Sequence, residues 1–313
     1  MQTNNLAAID TGTNSTRMLI ASPDGKILYR DAISTRMGEG MSEKNSFTDE
    51  AISRGIECFC MFKMLMDKYN VQKYRAVATA ACRMAKNGAD FVSKIKQQAN
   101  IDLEVIDGYE EARLNLNGAI LNTINRPYKY VIVFDIGGGS TEISLATNEP
   151  NAKILHTISI PLGARNSADK FSLVEYSEPN ADNLRKEIQN YTKDFIQKSE
   201  LDKYRDSLCV LATSSTALRL AHLCNGWSPY AREKGDNVLV DTDTLDKVIT
   251  ETYKTNLAQR EQNPCIGKTR APIFIPACII FEQIYKDLGA TEIITSLKAA
   301  VEGMIMELQN AAN

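Results

Sequence analysis

The chain has 313 residues, 43% hydrophobic and 24% charged, with a formal net charge of −3. At roughly 150 residues per domain this is material for two globular domains with real cores, which excludes a disordered tail protein. So balanced a charge excludes a general nucleic-acid coat or a polybasic membrane binder, while leaving room for a local basic cleft that takes a small polyanion.

Strand-like and helix-like segments alternate, which predicts an α/β fold. Three short strands open the chain at 6–10, 16–21 and 26–33, the last two joined by a Pro23-Asp24-Gly25 turn. Thr48 is a good N-cap for a helix whose residues Ile52, Ile56, Phe59, Phe62 and Met66 share one apolar face. A strand at 74–79 leads through a loop to a helix from about Ala89, then a short strand at 104–106 and a helix at 109–122. The pattern then restarts with a largely apolar strand at 130–135, a glycine turn and a second strand at 141–146. A helix at 181–199 follows, with Leu184, Ile188, Tyr191 and Phe195 on one face, then a strand at 208–212 and further helices. A helix at 273–288, a strand at 292–295 and a terminal helix from about Leu297 complete the order. The polar stretch 122–129, with Arg126-Pro127, is the expected boundary, giving domains 1–125 and 126–296.

Residue counts narrow the chemistry. The only two histidines are His156 and His222, and Cys224 is the one ligand type near the second. A Ser-His-Asp triad or a His-rich metal site would have to be built on one of them, so neither is favoured. Seven cysteines, scattered and without C-x-x-C, read as free or buried thiols of a reducing compartment. The N-terminus has no positive n-region, and the longest apolar run, 271–281, carries Pro272 and Pro276 and is too short to span a bilayer. The expectation is a cytoplasmic protein with no membrane and no nucleic-acid polymer as partner; a homodimer is the oligomer entertained. Gly267-Lys-Thr269 is not a P-loop, because Gln262 stands where its first glycine belongs. Cys265 and Arg270 are one residue too close for a tyrosine-phosphatase loop, and Asn14-Ser-Thr16 fits a glycosylation pattern inside what is read below as a phosphate turn.

Asp10-Thr-Gly-Thr-Asn-Ser-Thr-Arg17 aligns with Asp135-Ile-Gly-Gly-Gly-Ser-Thr-Glu142 at the Asp, the first Gly, the Ser and the Thr. Each copy sits between two predicted strands, which points to an ancient duplication and two similar lobes. A tight Gly/Ser/Thr turn offers successive backbone N–H groups to a phosphate, and glycine is needed where a Cβ would meet the oxyanion. The Asp ending the preceding strand can hold a divalent cation, directly or through water. One copy alone is most simply a hairpin turn; two matched copies favour a phosphate clamp with Mg²⁺ between Asp10 and Asp135.

This pattern resembles the superfamily of actin, hexokinase and the heat-shock chaperone ATPases. Further motifs narrow the resemblance: Gly38-Glu-Gly40, Arg75-Ala-Val-Ala-Thr79, Gly108-Tyr-Glu-Glu-Ala-Arg113 and Ile160-Pro-Leu-Gly163. With the two turns, in that order, they look like the exopolyphosphatase / guanosine pentaphosphate phosphohydrolase (Ppx/GppA) family over essentially the whole chain. The resemblance implies two actin-like (ribonuclease H-like) α/β lobes with an interdomain cleft, the terminal helix 297–313 packing back on the first. It also implies hydrolysis of the terminal phosphate of inorganic polyphosphate, or alternatively of pppGpp, with Mg²⁺ or another divalent cation. Glu111 would be the base that activates the attacking water, and Asp10, Asp135 and Glu142 would hold the metal or the water. Asn14, Ser15, Arg17, Gly137, Gly138, Gly139, Ser140 and Thr141 would line the phosphate turns, with Arg83 facing the polyanion. Without the resemblance, Glu111 is as readily a solvated helix residue beside Glu110 as a base, and Arg83 reads as a surface charge.

The second half departs from the family form. Ala212-Thr-Ser-Ser-Thr216 stands where Gly-Thr-Gly-Gly-Thr is common, Pro272 stands in an Arg-Ala-Asp motif, and Val301 replaces an arginine. These changes bear on distal binding of the substrate. They motivate a third reading, a polyphosphate- or nucleotide-binding regulator with little turnover.

Overall fold

The computed structural model describes residues 4–41, 45–150 and 152–310. In chain order the elements are β1 (Asn5–Thr11), β2 (Thr16–Ala21), β3 (Ile27–Ile33), α1 (Asp49–Lys68), β4 (Val71–Ala78), α2 (Ala80–Met84), α3 (Gly88–Ala99), β5 (Glu104–Val105) and α4 (Gly108–Ala119). Then come β6 (Tyr130–Ile136), β7 (Thr141–Thr147), β8 (Ile154–Ile160), α5 (Ala164–Lys170), α6 (Glu178–Ser199), β9 (Leu208–Ala212) and α7 (Ser214–Cys224). The last are β10 (Val238–Asp241), α8 (Thr242–Tyr253), α9 (Leu257–Gln262), α10 (Ala271–Leu288), β11 (Glu292–Thr295) and α11 (Ala300–Asn310).

The chain forms two compact units, 1–118 with 300–313, and 119–299. The first holds a five-stranded sheet in the order β3-β2-β1-β4-β5. Its β1, β2 and β3 run antiparallel, while β4 and β5 continue parallel to β1. The second holds a six-stranded sheet, β10-β11-β9-β6-β7-β8. There β6, β7 and β8 are antiparallel, β9 and β11 continue parallel to β6, and β10 is an antiparallel edge. Apart from that edge, both sheets have one topology, the actin-like (ribonuclease H-like) lobe that the duplicated turn implies.

Burial explains why β1 and β6 are so apolar. Ala7 and Ile9 of β1 face Phe59 and Phe62 of α1 and Phe91 of α3, while Leu6 and Ala8 face Leu114 of α4 and Met304 of α11. Successive side chains of a strand point to opposite faces, so a sheet covered on both faces needs both sets apolar. In the second unit, Ile132, Phe134 and Ile136 of β6 pack in one core with Leu184 and Ile188 of α6 and Phe281 of α10. Thr48 caps α1 by accepting from the Ala51 N–H at 3.2 Å. Gly303 lets α11 lie directly on α4, for a Cβ there would come within 2.2 Å of the Leu114 carbonyl oxygen.

The unit boundary lies earlier than the 125/126 cut expected from Arg126-Pro127. Thr123 and Asn148 exchange hydrogen bonds, and Asn122 donates to Asp236 at 2.7 Å and to Ser296 at 3.0 Å. These bonds tie the segment after α4 to the second unit. The terminal helix likewise starts at Ala300 rather than Leu297, because the Leu297 N–H is held by Asp236 at 2.9 Å while the Ala300 N–H is capped by Asn115 at 3.0 Å. The strands β8 and β10 and the helices α2 and α5 had no counterpart in the sequence reading; α2 falls where a loop was expected.

Two departures from the family form have a packing reason. Pro272 sits in the first turn of α10, where a missing N–H costs nothing. Val301 is a core residue beside Leu6 and Ala8.

Candidate active site

The two matched turns fold alike. In the first unit the Gly12 N–H donates to the Ser15 carbonyl at 3.0 Å, and in the second the Gly137 N–H donates to the Ser140 carbonyl at 2.9 Å. In each, the conserved spacing sets the Asp at the strand end across from the residue that opens the next strand: Asp10 pairs in register with Arg17, and Asp135 with Glu142. Directly opposed side chains share one face of a sheet.

Those pairs differ in charge, and so in what they can bind. Arg17 Nη1 lies 3.3 Å from Asp10 Oδ2, so the first turn carries a neutralised carboxylate and a guanidinium suited to phosphate. Asp135 and Glu142 put two buried carboxylates side by side. Thr213, at the end of β9, donates its hydroxyl to Asp135 Oδ1 at 2.7 Å, and Ser159 of β8 donates to Glu142 Oε1 at 2.8 Å. Oxygen-only donors on two acids suit a hard cation such as Mg²⁺, which keeps several waters and commonly takes only one or two protein carboxylates beside substrate phosphates. Among the described residues no group of three or more His, Cys, Asp and Glu is placed to hold a metal ion by itself. The residues therefore fit a cation completed by substrate and water at Asp135 and Glu142, with Asp10 belonging to the other unit.

In the first turn, Asn14 donates to Ser15 Oγ at 3.3 Å, while the buried Asn14 Oδ1 and Thr11 Oγ1 meet no hydrogen-bond partner among the described residues. The loop after β3 braces this turn, the Arg36 and Gly38 N–H groups donating to the Asn14 and Thr13 carbonyls at 3.0 and 2.8 Å. Arg54 of α1 holds that loop in turn through the Thr35 and Arg36 carbonyls.

In the second turn, α5 reaches the glycines from behind. The Ala164 and Arg165 N–H groups donate to the Gly137 and Gly138 carbonyls at 2.9 and 2.8 Å. Gly163 is what permits this: a Cβ there would lie 2.6 to 2.7 Å from atoms of Gly137, Gly138 and Gly139. Ser140 is buried beside them. Thr141 corrects an expectation: its hydroxyl donates to the Leu162 carbonyl at 2.7 Å and is fully buried, so it braces the turn rather than lining it.

Glu111 lies in the first turn of α4 and is 8% exposed. Arg83, from the end of α2, donates from Nη1 to Glu111 Oε2 at 3.0 Å and to the Ile106 carbonyl at 2.7 Å. Neither residue is a fully solvated charge. The neighbouring Glu110 takes the structural role instead, bonded to Arg113 and Arg75, with the Arg113 bonds holding its carboxyl below the usual range. Asp107 caps α4 by accepting from the Glu110 N–H at 2.8 Å.

The other candidates are structural. Burial pushes the Cys82 thiol, next to Arg83, up to about 12, and burial also raises Cys265, so neither is a ready thiolate. His222 is buried, its Nδ1 against the Leu218 carbonyl at 2.8 Å and its Nε2 accepting from the Ala231 N–H at 3.2 Å. Ser214, where the family commonly has glycine, keeps a glycine-like backbone with φ +84°. Sequence reasoning gave no role to Thr213, Ser159 or Asn166; only the last left a trace, as the polar third residue of α5, whose N-cap is Gly163.

The sequence model of the Ppx/GppA phosphatase family matches residues 19–311 of this chain. A bifunctional 3-dehydroquinate synthase/phosphatase of Fusobacterium nucleatum is 27% identical over 323 residues, spanning 96% of this chain but 46% of that protein. The chain thus spans about half the length of that curated relative. Among solved structures, an exopolyphosphatase-like protein superposes with TM-score 0.90 at 21% identity, covering 99% of this chain and 100% of the other. An exopolyphosphatase from Cytophaga hutchinsonii superposes with TM-score 0.85 at 24% identity, covering 98% of each chain. At these identities the likeness is one of fold. No helix among the described residues is long and apolar enough to cross a membrane.

Proposed function

This chain belongs to the Ppx/GppA phosphatase family, and from that premise we propose that it is a phosphatase which releases the terminal phosphate of inorganic polyphosphate. The observation that carries the reading is the buried Glu111 paired with Arg83, together with two turns of one geometry. Phosphoryl transfer needs a positioned water, a proton acceptor and stabilisation of charge on the phosphate oxygens. Glu111 orients the water and takes its proton as the water oxygen attacks the terminal phosphorus. Arg83 holds the Glu111 carboxylate in one orientation through Oε2. Within the first unit, Arg17 and the N–H groups of its turn are suited to receive phosphate oxygens. The bond to the bridging oxygen breaks, and the shortened chain leaves with its electron pair. Asp135 and Glu142 would hold Mg²⁺, which when bound neutralises phosphate charge.

The alternative substrate, pppGpp, offers the same terminal anhydride, so the distinction is one of kcat/KM between the two. The experiment is phosphate release from polyphosphate, pppGpp and ATP with Mg²⁺, wild type beside Glu111→Gln. Polyphosphate should be cleaved, with kcat lowered about 10²- to 10⁴-fold by the substitution and activity lost on chelation. Cleavage of pppGpp alone would reassign the substrate. An inactive wild type would overturn the reading, and tight binding without turnover would leave the regulator.

A further inference from the structure

We propose that Asn166 is a positioning residue, whose side-chain amide fixes the Gly137–Gly139 turn so that its N–H groups face the anion. This rests on the phosphate-binding reading of that turn given above.

Asn166 makes a dense set of bonds for a half-buried side chain on a short helix. Its Oδ1 accepts from the Gly163 N–H at 2.7 Å, and its Nδ2 donates to the Gly139 carbonyl at 2.9 Å and the Pro161 carbonyl at 3.0 Å. Its own N–H donates to the Gly138 carbonyl at 3.1 Å. With Ala164 and Arg165 these bonds engage the carbonyls of Gly137, Gly138 and Gly139, all from the α5 side. A trans peptide is planar, with its C=O and the following N–H pointing in opposite directions. Carbonyls held toward α5 therefore turn the N–H groups of Gly138, Gly139 and Ser140 away from it, in a common direction. Such a run of N–H groups is an anion-binding concavity.

The Gly139–Ser140 peptide depends on the side chain. The Gly137 and Gly138 carbonyls are held by backbone donors, which any residue at 166 would keep, whereas the Gly139 carbonyl is held by Asn166 Nδ2. Glycine does not resist rotation of the adjoining peptide, so loss of the amide frees that N–H to turn away. The same side chain, by accepting from the Gly163 N–H, ties the start of α5 to the turn and places the donor.

The test pairs Asn166→Ala with Asn166→Asp. Both lose the amide donor, but the aspartate keeps an acceptor for the Gly163 N–H and so keeps the helix start if the alanine variant fails to fold. Kinetics on polyphosphate, calorimetric binding of tripolyphosphate and thermal unfolding are measured on the full chain. Either variant should raise KM and the tripolyphosphate Kd about tenfold, the loss of one charge-assisted hydrogen bond, with kcat within about twofold. For Asn166→Asp the ratio of its KM to that of wild type should fall as the carboxyl protonates, since the acid again donates to Gly139, whereas for Asn166→Ala, with no group to titrate, the ratio should stay independent of pH. A folded variant with wild-type KM and Kd overturns the proposal. If wild type binds tripolyphosphate without cleaving polyphosphate, the hydrolase reading fails while a weakened Kd in the variants still supports Asn166. If wild type does not bind tripolyphosphate at all, both fall.

Discussion

Ser214 opens α7 with φ +84°, in the region where a side chain is strained and glycine is not. Holding an L-residue there costs about 1–3 kcal/mol. The side chain gives something back, because Ser214 Oγ accepts from the Thr216 N–H at 3.3 Å, a long cap contributing about 0.5–1 kcal/mol. Ser214→Ala removes the cap and keeps the strain, so the second unit should lose about 0.5–1 kcal/mol. Ser214→Gly removes both, and should end level with the wild type or more stable by about 1 kcal/mol. Elsewhere in a helix, alanine is favoured over glycine by about 1 kcal/mol; here the order reverses. Urea unfolding followed by far-ultraviolet circular dichroism, with equal m-values for the three proteins, measures it. An alanine variant as stable as the glycine variant would refute the strained backbone, and with it the idea that this turn keeps the family's conformation despite losing its glycines.

Two further expectations follow from the site. Thr213→Val preserves shape but deletes the 2.7 Å bond to Asp135; it should cost about 1.5–3 kcal/mol by urea unfolding and lower kcat/KM for phosphate release roughly tenfold. Glu110 has its carboxyl held below 4.5, first by the Arg113 hydrogen bond, so its contribution is present above pH 4.5 and is lost as pH falls through the lowered value. Glu110→Gln should therefore be less stable than wild type at neutral pH, with the gap closing in acid; because the group is only partly buried, solvent screening limits the gap. A pH-independent gap would place the stabilisation elsewhere.

The turns show why local chemistry was readable in advance. Asp, Gly and Ser at fixed spacing between two apolar strands dictate a hairpin whose internal hydrogen bond recurs in both copies. The strands β1 and β6 were readable for a related reason: burial on both faces demands unbroken apolar runs. By contrast β8, half-exposed and alternating irregularly, carried no such signal. The boundary after α4 was misplaced because Arg126-Pro127 marks a turn, whereas Asn122 and Thr123 decide to which unit the segment is bonded.

By itself the sequence determined the fold class, the duplicated turns and the residue types able to handle phosphate, because spacing along the chain is enough to fix strands, caps and tight turns. Only the tertiary structure decided which of those residues work together. It separated Glu111 from Glu110 by giving Arg83 to one and Arg113 and Arg75 to the other. It withdrew Thr141 into a buried bond, set Asp135 beside Glu142, and brought Thr213 and Asn166 to the second turn from far along the chain. Hydrogen bonds act over about 3 Å in space whatever the separation in sequence, so roles of this kind exist only once the chain has folded.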